Sequence, residues 1–98
     1  MKLLIADDEQ YVRDSLAGEI EWSKYGITLE GVASDGMEAA EMALRLQPDV
    51  LLTDIRMPRM DGLELIRYLK ERMPRLKVVL LSGWSDFEYA RQALKLGA

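Results

Sequence analysis

The sequence has 98 residues, 49% of them hydrophobic, which suits one domain with a modest core. It contains no cysteine and no histidine, which excludes disulfides, thiol chemistry, an imidazole base and any His or Cys metal ligand; a metal held here must be bound through oxygen, which favours Mg²⁺, Ca²⁺ or Mn²⁺ over Zn²⁺. The formal net charge of −4, with acids and bases interspersed, argues against this segment as one that grips nucleic acid.

The elements follow in chain order. Leu3–Ala6 is an apolar run that predicts a buried strand, and Asp7 and Asp8 cut it too early for a signal sequence. Val12, Leu16 and Ile20 recur every fourth residue and predict a helix. Thr28–Ala33 reads as a second strand. Asp35 with Glu38 then has the spacing of a helix N-cap and its N3 partner, ahead of an apolar face at Met37, Ala40 and Leu44 and a stop at Pro48. Val50–Thr53 is a third strand. Asp61 with Glu64 opens a third helix marked by Leu63, Ile66 and Leu69–Lys70, and Pro74 closes it. Val78–Ser82 is a fourth strand. Ser85 with Glu88 caps a fourth helix carrying Phe87, Ala90 and Leu94, which Gly97 ends.

The strands are apolar without alternation, as expected of parallel strands covered on both faces. The pattern β-α-β-α-β-α-β-α therefore predicts a doubly wound parallel α/β sheet. No run approaches membrane-spanning length, so a soluble, cytoplasmic domain with no membrane contact is expected.

In such sheets ligands bind beyond the carboxyl ends of the strands, where the strand order reverses. Asp7 and Asp8 stand just past the first strand and Asp54 just past the third. In the order 2-1-3-4-5 these carboxylates converge. An aspartate after a strand is commonly only a cap or turn residue, but three meeting in one cleft repel one another and raise one another's pKa unless a cation is present. Mg²⁺ suits carboxylates plus a backbone carbonyl, and a carboxylate beside it can act as nucleophile toward a phosphoryl group.

Asp7-Asp8-Glu9, the stretch Asp54-Ile55-Arg56-Met57-Pro58-Arg59-Met60-Asp61-Gly62, and Leu81-Ser82-Gly83 together resemble the receiver domains of two-component response regulators, over the whole chain. The resemblance implies a flavodoxin-like (βα)₅ fold, Mg²⁺-dependent phosphorylation and a sensor histidine kinase as donor. It implies Asp54 as phosphoacceptor, with Asp7, Asp8, Asp54 and the backbone carbonyl of Arg56 as metal ligands. It implies Ser82 as the switch hydroxyl that bonds the phosphoryl group, and Gly83 as a neighbour kept small to admit it. Positions 56 and 84 are those the family uses to tune phosphoryl loss, whereas Trp84 and Trp22 read on their own as packing residues. The first helix is where the family meets its kinase, which makes Tyr11, Arg13, Asp14 and Ser15 candidate contacts.

Glu21-Trp22 before Gly26-Ile27, Ser82-Gly83-Trp84-Ser85-Asp86-Phe87-Glu88-Tyr89-Ala90 and Ala93-Leu94-Lys95-Leu96-Gly97-Ala98 further resemble receivers fused to AraC-type helix-turn-helix output domains. DNA would then be bound only through an output domain outside this sequence. The family's lysine at the end of a fifth strand has no counterpart, since Lys70, Lys77 and Lys95 occupy other elements. Residues 1–98 are thus expected to form a receiver without its fifth strand and helix. Val78–Leu81 would then be an apolar edge and the sheet would be uncovered near Leu4 and Leu52, so the fragment is expected either to form a homodimer or swap elements through the fourth strand or to owe its order to chain beyond Ala98.

The rival readings are weaker. A phosphatase of the haloacid dehalogenase class needs an acid two residues after its nucleophile, where this chain has Arg56. A dinucleotide-binding domain lacks its glycine-rich turn. A pseudo-receiver, an interaction module that is never phosphorylated, would not need the acid triad. On the receiver reading the domain is not an enzyme, catalysing only its own phosphoryl transfer and dephosphorylation.

Overall fold

The computed structural model describes residues 1–81. Its elements are β1 (Lys2–Ala6), α1 (Gln10–Gly18), a 3₁₀ turn (Trp22–Tyr25), β2 (Thr28–Ala33), α2 (Gly36–Leu46), β3 (Val50–Asp54), α3 (Gly62–Arg72) and β4 (Lys77–Leu81). The expected helix through Phe87, Ala90 and Leu94, with its cap at Ser85 and Glu88, lies outside the described residues.

The four strands form one parallel sheet in the order β2-β1-β3-β4. β1 has β2 and β3 as its neighbours, the flavodoxin-like order that the family resemblance implied. Short apolar runs make the strands because each side chain can be buried on one face or the other. One face carries Leu4, Ala6, Ala33, Leu51 and Val78, which pack with the inward sides of α2 and α3 into a single core. Leu4, Leu51, Leu65, Ile66 and Leu69 are fully buried there.

Two packing expectations need correction. Leu4 is not on an uncovered face. It pairs with Leu51, and one residue further along Ile5 pairs with Leu52, so Leu4 and Leu52 point to opposite sides of the sheet. The open side is that of Leu52. Here Met1, Leu3, Trp22, Ile27, Val50, Leu52 and Val79 line an apolar hollow of about 320 Å³, and Val79 on β4 is half exposed. Trp22 packs in this hollow and donates its indole N–H to the Leu16 carbonyl at 2.8 Å.

The second correction concerns α2. Ala40 is buried as expected, but Met37 and Leu44 are exposed, and the helix buries Gly36, Ala39 and Ala43 beside Ala40. The small residues let α2 lie close to β1, β2 and α3, which a stripe of large side chains would prevent. In α1, Val12 and Leu16 are half-buried, but the helix ends at Gly18 and Ile20 falls beyond it, on the surface.

The helix boundaries follow local chemistry. Asp61 and Glu64 form a reciprocal capping box at α3. At α2 the Asp35 carboxylate accepts the Glu38 N–H at 2.8 Å, while the Glu38 carboxylate turns to the Ser34 N–H at 2.7 Å. Both helices end ahead of proline, α2 at Leu46 before Pro48 and α3 at Arg72 before Pro74.

Candidate functional site

The parallel register carries the acids to one place. Ala6 of β1 sits beside Thr53 of β3, so Asp7, the next residue of one chain segment, and Asp54, the next of the other, leave the sheet side by side. The Asp7 N–H donates to the Ala33 carbonyl at 3.1 Å and extends the β1–β2 ladder to the brink of the site. Asp54 is itself the last residue of β3, one position earlier than expected. Asp8 is exposed on the loop leading to α1. One carboxylate oxygen from each of Asp7, Asp8 and Asp54 lies within 4.8 Å of the others.

Asp7 is the buried member, only 4% exposed. Burial pushes its carboxyl above the ordinary aspartate value. The Glu9 N–H, which donates to Asp7 Oδ1 at 2.9 Å, pulls the other way, and the neighbouring Asp8 adds to the upward push. Arg13 donates from Nη1 to the Asp7 backbone carbonyl at 2.8 Å, tying α1 to this strand end. Asp54 Oδ1 accepts the Ile55 N–H at 2.8 Å, and the buried Thr53 hydroxyl donates to the Asp54 carbonyl at 2.9 Å. The donor set is all oxygen and all acidic, with one carboxylate destabilised as an anion by burial. That fits a hard divalent cation, which would relieve both the repulsion and the burial cost.

The loop after β3 begins with buried Ile55, exposed Arg56 and buried Met57, so two apolar anchors hold a chain segment whose intervening residue stays at the surface. It ends where the Gly62 N–H donates to the Ile55 carbonyl at 2.6 Å. A Cβ at Gly62 would overlap the Asp54 carbonyl oxygen and come within 2.9 Å of the Ile55 Cα, so only glycine lets α3 start this close beneath the acid cluster.

Of the residues singled out from the sequence, Asp7, Asp8 and Asp54 are brought together. Ser82, Gly83 and Trp84 lie outside the described residues. Among the candidate kinase contacts Tyr11 and Asp14 are exposed, whereas Arg13 and Ser15 are half-buried, Arg13 with its guanidinium engaged at Asp7. Arg13 therefore has a role at the site that sequence reading missed, because a contact six residues apart across a strand end leaves no local pattern. The link between Asp35 and Arg59 was missed for the same reason.

Residues 3–98 match the family described as the response regulator receiver domain. Among curated relatives, the transcriptional regulatory protein YesN of Bacillus subtilis is 46% identical over 96 residues, which cover 98% of this chain and 26% of that protein. Across the curated relatives compared, the chain spans 26% to 37% of their length. The solved receiver domain of AraT, a response regulator from Geobacillus stearothermophilus, superimposes with a TM-score of 0.91 at 41% identity, covering 97% of this chain and 74% of that one. A two component transcriptional regulator, AraC from Clostridium phytofermentans, superimposes with a TM-score of 0.86 at 43% identity, covering 95% of this chain and 72% of that one.

Proposed function

The chain belongs to the response regulator receiver domain family, and on that premise we propose that it accepts a phosphoryl group on the Asp54 carboxylate from a sensor histidine kinase. The observation that carries the reading is the convergence of Asp7, Asp8 and Asp54 on one point at the switch between β1 and β3.

In the proposed step a carboxylate oxygen of Asp54 forms a bond to phosphorus as the donor's N–P bond breaks, and the departing imidazole nitrogen keeps the electron pair. The bond from the Ile55 N–H to Oδ1 of Asp54 orients that carboxylate for the attack. Asp7, Asp8, Asp54 and the backbone carbonyl of Arg56 would hold Mg²⁺, which supplies charge neutralisation on the phosphoryl oxygens. Asp7 would serve as an anion, which its burial opposes, and a bound cation would offset that cost. The Ser82 hydroxyl would bond the phosphoryl group and Gly83 would leave room for it, roles that rest on the resemblance of Leu81-Ser82-Gly83 to the family pattern.

Arg56 stands two residues after Asp54, where a phosphatase of the haloacid dehalogenase class would need an acid. A signalling module that processes only its own phosphoryl group is therefore favoured over a phosphatase. Because the relatives are longer transcriptional regulators, we read this chain as the input part of a cytoplasmic transcription regulator that meets DNA through a separate output domain.

Incubation with acetyl phosphate and Mg²⁺, followed by intact mass, tests the reading. A phosphoryl adduct that forms in Mg²⁺, fails to form in a chelator and is absent from Asp54→Asn supports it. No adduct on the wild-type protein would return the chain to the class of unphosphorylated interaction modules.

A further inference from the structure

The loop from β3 to α3 is held at a second point, away from the acids. The Met60 carbonyl packs so closely on Gly36, the first residue of α2, that a Cβ there would overlap the carbonyl oxygen and lie 2.6 Å from the carbonyl carbon and 2.7 Å from the Met60 Cβ. Next to this contact Arg59 Nη1 pairs with Asp35 Oδ2 at 3.3 Å. The same Asp35 caps α2 through its other oxygen, so one carboxylate ties the helix start and the loop together. Arg59 has φ of +70°, a left-handed backbone that is unfavourable for a residue with a side chain and persists only where its surroundings hold it.

These observations describe a seam between the start of α2 and the outer turn of the loop that carries Arg56. With the Ile55 carbonyl held by the Gly62 N–H at one end and Met60 fixed on Gly36 at the other, the backbone of residues 56–59 between them is held at both limits. We propose that Gly36, Asp35 and Arg59 are positioning residues for the metal and phosphoryl site: by clamping residues 59 and 60 onto α2 they fix where the Arg56 carbonyl is presented to the acid cluster. The inference rests on the function proposed above, and none of the three residues touches the reacting atoms. Its physical basis is that a ligand carbonyl must be held in place before the ion arrives, or the ordering cost is taken from the ion's affinity.

The test measures Mg²⁺ affinity by titration calorimetry and the rate of phosphorylation by acetyl phosphate, alongside melting temperature. The variants are Gly36→Ala, Asp35→Ser, Arg59→Ala and Arg59→Lys. Serine keeps the helix cap but loses the partner of Arg59, and lysine keeps the charge. Gly31→Ala serves as a control, because it crowds chiefly the flexible end of Met42 on the inner side of α2.

Gly36→Ala should weaken Mg²⁺ binding about tenfold, the lower end of the scale for changes just outside a metal's ligands, and Asp35→Ser and Arg59→Ala, which act on an exposed pair, by less, about threefold. Arg59→Lys should recover part of the loss, Gly31→Ala should bind as the wild type does, and saturating Mg²⁺ should restore much of the phosphorylation rate. If Gly36→Ala fails to fold, Asp35→Ser and Arg59→Ala carry the test. Variants that melt earlier yet bind Mg²⁺ as tightly as the wild type would reduce the seam to a structural contact and overturn the proposal, leaving the function itself standing. A wild-type protein that binds no Mg²⁺ would instead remove the site, and this inference with it.

Discussion

Asp7 and Asp54 follow residues that are partners in the β1–β3 ladder, Ala6 and Thr53, and the sheet itself therefore sets the spacing of their carboxylates. Neither is placed by a flexible loop. A site built on strand ends keeps its geometry while the loops around it change course, as a switch requires.

Mg²⁺ should stabilise the fold measurably. At about 100 times its dissociation constant it should add roughly 2.7 kcal/mol to the unfolding free energy, read by calorimetry or denaturant titration. Asp8→Ala should remove most of that gain and leave the metal-free protein as stable as the wild type or slightly more so, since Asp8 is exposed and its loss uncovers no core but relieves the repulsion on Asp7. An unchanged wild-type melting curve in Mg²⁺ would mean that the cluster holds no ion.

The buried Asp7 predicts a pH dependence with a definite sign. Its carboxyl is raised above the ordinary value in the folded state, so the fold favours the protonated form. In metal-free buffer the contribution to stability is present below the ordinary aspartate pKa and is lost as pH rises through the elevated folded value. Asp7→Asn should therefore be more stable than the wild type at neutral pH without Mg²⁺, and should lose that slope, because an amide oxygen can still accept the Glu9 N–H. Chemical denaturation across the acid range checks this. A wild-type stability that climbs with pH while Asp7→Asn stays flat would contradict it.

Core substitutions separate the two sides of the helices. Leu65 on α3 is fully buried, so Leu65→Ala should cost about 2–5 kcal/mol. Leu44 on α2 is 38% exposed, and Leu44→Ala should cost well under that, about 0.5 kcal/mol. Equal losses would mean that α2 turns its large residues inward after all.

What could be read from the sequence depended on how local its cause was. The strands were legible because a parallel sheet carries apolar side chains on both faces, which leaves continuous apolar runs such as Val50–Thr53 even though the Leu52 side is the more open one. The cap at Asp61 was legible because capping is a matter of residues three apart. The acid cluster was legible because aspartates follow both the first and the third apolar run, and the resemblance to the family implied the strand order that brings those two ends together. The inward face of α2 was not. Met37 and Leu44 outweigh alanine on any hydrophobic scale, yet close packing selects Ala39 and Ala43. The Arg59 backbone and the Gly36 contact were equally hidden, since both depend on how near two separate segments come.

The central claim is that Asp54 itself carries the phosphoryl group. Treatment of the phosphorylated protein with borohydride reduces an aspartyl phosphate to homoserine, and peptide mass mapping then locates the altered residue. Homoserine at position 54, dependent on Mg²⁺ and on the phosphodonor, is the predicted result. Homoserine at position 7 or 8, or a phosphoryl adduct that borohydride leaves intact, would contradict it.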